Sequence, residues 1–149
     1  MDYKKYAEKL VEYQFKLSRV PKHINNINTD QIRGEKSVIG YLIEVEDGVT
    51  PSKLAQFIGV STARVANILN KLEDKGCIIR KMDTKDRRRI IVYITEKGRK
   101  TGLRAKEYAV EHISKVLAEL GEHDAKEHIR IMKRIYHITL EHEQVSEND

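Results

Sequence analysis

Ser61-Thr62-Ala63-Arg64-Val65-Ala66-Asn67-Ile68-Leu69-Asn70-Lys71-Leu72-Glu73-Asp74-Lys75-Gly76 reads as a helix with a start and a stop. Serine at the head accepts from the free amides of the first turn, and glycine at the tail supplies the left-handed exit. Past Cys77, residues 78–82 (Ile-Ile-Arg-Lys-Met) and 90–95 (Ile-Ile-Val-Tyr-Ile-Thr) are rich in β-branched side chains. They are predicted to pair as a hairpin around the wholly polar loop Asp83-Thr84-Lys85-Asp86-Arg87-Arg88-Arg89.

At about 100° per residue, Val65, Ile68, Leu69 and Leu72 fall on one face of the helix and are expected in the core. The opposite face carries Ala63, Asn67 and Asn70, flanked by Arg64 and Lys71. Small and amide side chains suit base edges in a major groove: Asn pairs with adenine, Arg with guanine, and Ala touches a thymine methyl. Ser61, Thr62 and the free amides of the first turn suit a phosphate oxygen. Asp74 shares this face one turn on, where the helix is expected to have left the groove. Three arginines beside Asp86 are an unusual choice for a simple turn. An arginine gains from the negative potential of a narrow A·T-rich minor groove, and a nearby carboxylate can hold its guanidinium. The plainer readings are a solvated helix face and a wing that touches phosphate only.

Upstream, Thr50-Pro51 opens a further helix, with threonine as cap and proline at the first helical position. Leu54, Ala55 and Ile58 form its inner face, and Gly59-Val60 makes the turn, so residues 50–76 form a helix-turn-helix. Before it, 35–46 is predicted helical through Val38, Ile39, Leu42, Ile43 and Val45, closed by Asp47-Gly48. Residues 2–20 carry Tyr6, Leu10, Tyr13, Leu17 and Val20 as a helical stripe, with Pro21 or the asparagine-rich stretch at 25–28 marking its bend or end. From Glu96 to about Glu143 the pattern is helical again, interrupted near Leu120-Gly121-Glu122. Its apolar positions are Val110, Ile113, Val116, Leu117 and Leu120, then Ile129, Met132, Ile135 and Tyr136.

The expected fold is mostly α with a small β-hairpin wing: one domain over 1–149, with a winged helix-turn-helix lobe at about 35–99. Helices at about 2–30 and 100–143 flank it. These ends carry more apolar surface than a small monomer needs, so they are expected to pack together and against a second copy. An intramolecular bundle is the alternative.

The formal charge of +5 on 149 residues is unevenly spread. Residues 50–100 hold 13 Lys and Arg against 5 Asp and Glu, a balance of +8, and the remainder sums to −3. A basic middle between acidic flanks suits phosphate. One cysteine fits a reducing compartment. No apolar run approaches the roughly 20 residues that span a bilayer, and no signal-peptide core opens the chain, so a soluble, cytoplasmic protein is expected.

The order of elements resembles the MarR family of bacterial and archaeal transcription regulators. The resemblance rests on Leu54-Ala55 through Gly59-Val60-Ser61, on Leu72-Glu73-Asp74-Lys75-Gly76, and on the loop from Asp83 to Arg89 followed by Ile94-Thr95-Glu96-Lys97-Gly98. It implies a homodimer on double-stranded DNA, binding a pseudo-palindromic operator, usually as a repressor. It also implies that Arg88 enters the minor groove and that Asp86 orients it. Asn67 stands where many members carry arginine and Ala66 where many carry threonine, so the resemblance does not supply an operator sequence. Many members leave DNA on binding small aromatic or phenolic ligands. The residues here that would line such a pocket are Tyr13, Phe15, Ile39 and Tyr41, with simple core positions as the alternative.

Other chemistries find little support. No nucleophile with its base, phosphate loop or metal triad stands out, so an enzyme is not expected, and no cofactor is implied. His123 with Glu127 and His137 with Glu141 have i, i+4 spacing but no accompanying cysteine, and no metal site is expected. Cys77 opens an apolar strand without an evident cationic partner and is expected to be an inert buried thiol rather than a redox sensor. A winged-helix module that grips another protein is the alternative from a different class.

Overall fold

The computed structural model describes residues 1–18 and 30–146. They form α1 (Tyr3–Ser18), α2 (Asp30–Glu44), α3 (Pro51–Ile58), α4 (Thr62–Asp74), β1 (Ile78–Met82), β2 (Ile90–Ile94), α5 (Glu96–Leu120) and α6 (Glu122–Ser146). The architecture is mostly helical with one antiparallel hairpin, as predicted. Val20, Pro21 and the asparagine-rich stretch at 25–28 lie outside the described residues. The chain divides into two compact units, residues 21–104 and residues 1–20 with 105–149.

In the unit of residues 21–104, the helix ends follow the predicted caps. Thr50 Oγ1 accepts from the Lys53 amide at 3.3 Å, Pro51 opens α3, and Gly59 closes it at φ 76°. Ser61 Oγ accepts from the Arg64 amide at 3.2 Å at the head of α4. Val38, Leu42, Leu54, Val65, Leu69, Leu72, Ile78 and Val92 make one core between the helices and the hairpin.

Two boundaries differ from the sequence reading. Helix α2 starts at Asp30, five residues before the expected position, and runs through Gly34. That glycine is a packing residue and not a break: a Cβ on it would lie 2.5 Å from Ile68 Cδ1, so its bare backbone admits the α4 side chain. Strand β2 ends at Ile94 rather than at residue 95. Thr95 has left the ladder: its Oγ1 accepts from the Gly98 amide at 3.0 Å and donates to the Gly76 carbonyl at 2.6 Å.

The hairpin pairs Ile78 with Ile94, Arg80 with Val92, and Met82 with Ile90. Its base is fastened to the loop after α2. Val49 and Val92 exchange backbone hydrogen bonds at 2.7 and 3.1 Å, and Asp47 Oδ1 accepts from the Ile94 amide at 2.9 Å. Lys75 Nζ reaches Glu35 Oε1 at 2.8 Å, joining the end of α4 to α2.

In the other unit, Ala7 and Leu10 of α1 meet Val110 and Leu117 of α5 and Ala125 and Ile129 of α6. The Tyr13 and Tyr136 rings stack obliquely at 5.7 Å between centroids. Gly121, at φ 86°, makes the break between α5 and α6. Val116 and Leu120 of α5 and Ile131, Ile135 and Ile138 of α6 remain exposed. At helical spacing the three isoleucines fall together, as a second stripe beside the one that is buried.

Candidate nucleic-acid interface

Helix α4 separates its two faces as its sequence dictates. Val65, Ile68, Leu69 and Leu72 are buried, whereas Ser61, Thr62, Ala63, Asn67, Asn70 and Lys71 are exposed. The half-buried Arg64 has a shielded Nε with no hydrogen-bond partner among the described residues. The Ser61 hydroxyl is already engaged with the first-turn amide of Arg64. Thr62 and Ala63 therefore stand at the open N-terminal end of a helix whose remaining amides point outward.

Asn67 and Asn70 differ in state. Asn70 Oδ1 accepts from Arg80 Nη2 at 2.8 Å. Arg80 is held in turn by Glu73, its Nε donating to Glu73 Oε2. Arg80 was not among the residues singled out from sequence. Its signal was there: an arginine directly after the apolar run Cys77-Ile78-Ile79, on the strand face shared with the buried Ile78. Glu35 was likewise missed, and Asp47 was marked only as closing α2.

The wing loop is organised by its own carboxylates. The Asp83 amide donates to the Arg89 carbonyl at 2.9 Å, extending the ladder by one bond. Asp83 Oδ1 accepts from the Lys85 amide at 3.2 Å. Asp86 Oδ1 accepts from the backbone amide of Arg88 at 3.0 Å, and its carbonyl accepts from the Arg89 amide at 3.0 Å. Through these bonds Asp86 shapes the backbone that presents Arg88. An Asx turn two residues long satisfies the carboxylate locally at less entropic cost than fixing a long side chain. Arg87, Arg88 and Arg89 are exposed.

The four residues named for an effector pocket divide between the units. Ile39 and Tyr41 are core residues of the 21–104 unit, 7% and 2% exposed, with the Tyr41 ring edge-on to Phe57 at 4.5 Å. Tyr13 and Phe15 are half-buried on α1 in the other unit. Cys77 is buried, its Sγ 4.0 Å from the Lys75 carbonyl oxygen. Glu127 is paired with Arg130, at 2.9 Å from Oε2 to Nε. No group of three or more metal-ligating side chains gathers among the described residues, and no described helix is long and apolar enough to cross a membrane.

The ionic ties near the interface favour the charged form of each lysine. A hydrogen bond and the attraction of Glu35 raise Lys75 above the ordinary lysine range, and Glu46 does the same for Lys53. Both ammonium groups are at the surface, where such pairs fix geometry more than they add stability.

The family model for the MarR family matches residues 31–89, which run from α2 to the arginines of the wing. A protein assigned to transcriptional regulation of the hcr operon in Thauera aromatica is 28% identical over 89 residues, covering 60% of this chain and 54% of that protein. The chain thus spans about half the length of that relative. Among solved structures, FabT of Streptococcus pneumoniae, solved in complex with DNA, is 22% identical with a TM-score of 0.59, covering 92% of this chain and 94% of that one. The transcriptional regulator BldR of Sulfolobus solfataricus is 25% identical with a TM-score of 0.53, covering 85% and 84%.

Proposed function

We propose, from the match of residues 31–89 to the family model for the MarR family, that the protein is a sequence-specific DNA-binding transcription regulator acting as a homodimer on a pseudo-palindromic operator. One observation carries the reading. A single unit presents both an exposed small-and-amide face on α4 and an exposed triple-arginine tip on the adjoining hairpin. The first suits base edges in a major groove, and the second suits the neighbouring minor groove or its phosphates.

In this proposal Ala63, Asn67 and Asn70 face bases, Thr62, Arg64 and Lys71 face the sugar-phosphate backbone, and the Ser61 cap fixes where the helix begins. Arg88 enters the minor groove from a loop shaped by Asp86, with Arg87 and Arg89 beside it. The exposed stripes at Val116 and Leu120 and at Ile131, Ile135 and Ile138 support a dimer, because apolar surface of this extent gains from burial against a second copy. Repression in the cytoplasm and release by a small aromatic effector complete the proposal. Both rest on the family resemblance.

The test is a fluorescence-anisotropy titration of the purified protein against duplexes from its own promoter and against random duplex, at several salt concentrations. Preferential binding to a promoter duplex is expected, with affinity falling steeply as salt rises because lysine and arginine displace condensed counterions. Equal, weak binding to all duplexes would contradict the proposal.

A further inference from the structure

Asn67 and Asn70 sit on the same exposed face of α4, three residues apart, yet the protein leaves them in different chemical states. Arg80, on the neighbouring β1, places Nη2 2.8 Å from Asn70 Oδ1. A guanidinium carries only donors, so the amide atom that faces it is the oxygen. The opposite edge of the Asn70 amide is its NH2 group. Arg80 itself has little freedom: Glu73 takes its Nε, the side chain is 28% exposed, and its backbone lies in register with the fully buried Val92.

We propose that Arg80 is a positioning residue for DNA reading, one that turns Asn70 into a donor-only reader selecting guanine. This rests on the DNA-binding proposal above and deepens it. An asparagine free to turn offers adenine one acceptor and one donor, matching N6–H and N7. With its oxygen held by Arg80, Asn70 offers donors alone. Guanine presents two acceptors in the major groove, O6 and N7, whereas adenine presents N7 beside a donor that would oppose the amide N–H. Asn67 keeps the two-way pattern that suits adenine. Two identical side chains on one helix face therefore ask for different bases, and a strand residue that touches no DNA makes the difference.

The experiment enriches a randomised 20-base-pair duplex pool on the full-length wild-type protein and on Asn70→Ala, Arg80→Leu and Arg80→Lys, with circular dichroism melts on each. The base pair read by Asn70 is the position whose preference vanishes in Asn70→Ala. Wild type is expected to favour guanine over adenine there by about ten-fold, within the usual range for one base contact. Arg80→Leu is expected to lose that preference or reverse it to adenine, with preferences at the other positions retained. Arg80→Lys keeps the charge and the fold but lacks the planar fork that spans Asn70 and Glu73, so it is expected to weaken the preference at the same position. A selective change at one position is a result that mere destabilisation does not give. Guanine preference unchanged in both Arg80 variants would overturn the inference, as would an Asn70→Ala variant that selects like wild type. A wild-type protein that enriches no sequence would overturn the DNA-binding proposal itself, which is a different failure.

Discussion

A Cβ placed on Gly98 would lie 2.1 Å from the carbonyl oxygen of Cys77 and 2.9 Å from its carbon. The first turn of α5 thus rests directly on the backbone that leaves α4, and Thr95 ties the same junction from its other side through Gly76. This contact fixes the start of the hairpin against the reading helix. The obstacle is main chain and cannot rotate away. Gly98→Ala is expected to cost about 2–4 kcal/mol, in the range of severe overpacking. Gly59→Ala has nothing within 4 Å to meet but a φ of 76° to hold, so it is expected to cost about 1–2 kcal/mol. Thermal or urea unfolding of both variants checks the order. Equal stability of Gly98→Ala and wild type would contradict it.

Thr95→Val keeps the shape of the side chain and deletes a hydroxyl that both donates to Gly76 and accepts from Gly98. Loss of a cap of this kind is expected to cost about 1 kcal/mol, and Thr95→Ser is expected to recover most of it. Urea melts of the two variants measure the difference. A valine variant as stable as the serine variant would show that the hydroxyl contributes nothing.

Much of this geometry was legible in the chain. Thr50, Gly59 and Ser61 act within a turn of their own position, so local pattern suffices to assign them. The faces of α4 follow from helical period alone. Gly34 was not legible as a packing glycine, because whether a glycine ends a helix or admits a neighbour depends on Ile68, which is distant in sequence. Arg80 could be placed on a strand face, but alternation does not say which helix residues that face meets. The bond from the Asp86 carboxylate to the Arg88 amide was not legible, since a residue pattern does not say whether a carboxylate turns to the backbone two residues on or to a long side chain. Composition alone did not separate pocket from core at Ile39 and Tyr41; both are buried, and the Tyr41 ring packs on Phe57.

Dimerisation has its own signature. With a chain mass of 17.3 kDa, sedimentation at low micromolar concentration is expected to give about twice that mass. Ile135→Glu places a charge on the exposed α6 stripe and is expected to yield folded monomer at the same concentration, because burying an unpaired carboxylate is costly. A wild-type monomer of native helicity would contradict the dimer.

Cys77 is expected to be silent. Its thiol is buried among apolar side chains, and a sulfur shielded from solvent reacts slowly with peroxide. Cys77→Ser should leave operator binding and its response to peroxide unchanged in gel-shift assays. Peroxide-induced release that vanishes in the variant would make the thiol a sensor.

The central claim, that helix and wing read one duplex together, is tested most directly by a binding titration of Arg88→Ala against a promoter duplex, a flank-scrambled duplex and random DNA across a salt series. Arg88 is exposed at a loop held by Asp86. Its loss is expected to weaken specific binding, chiefly where the flanks are A·T-rich, and to reduce the log–log salt slope by about one. In the same series Asn67→Ala is expected to lose roughly 1–3 kcal/mol of discrimination between duplexes, and Lys71→Ala to weaken all of them alike. If Arg88→Ala binds all three duplexes as the parent protein does, with the same salt slope, the wing does not touch DNA and the two-probe account is wrong.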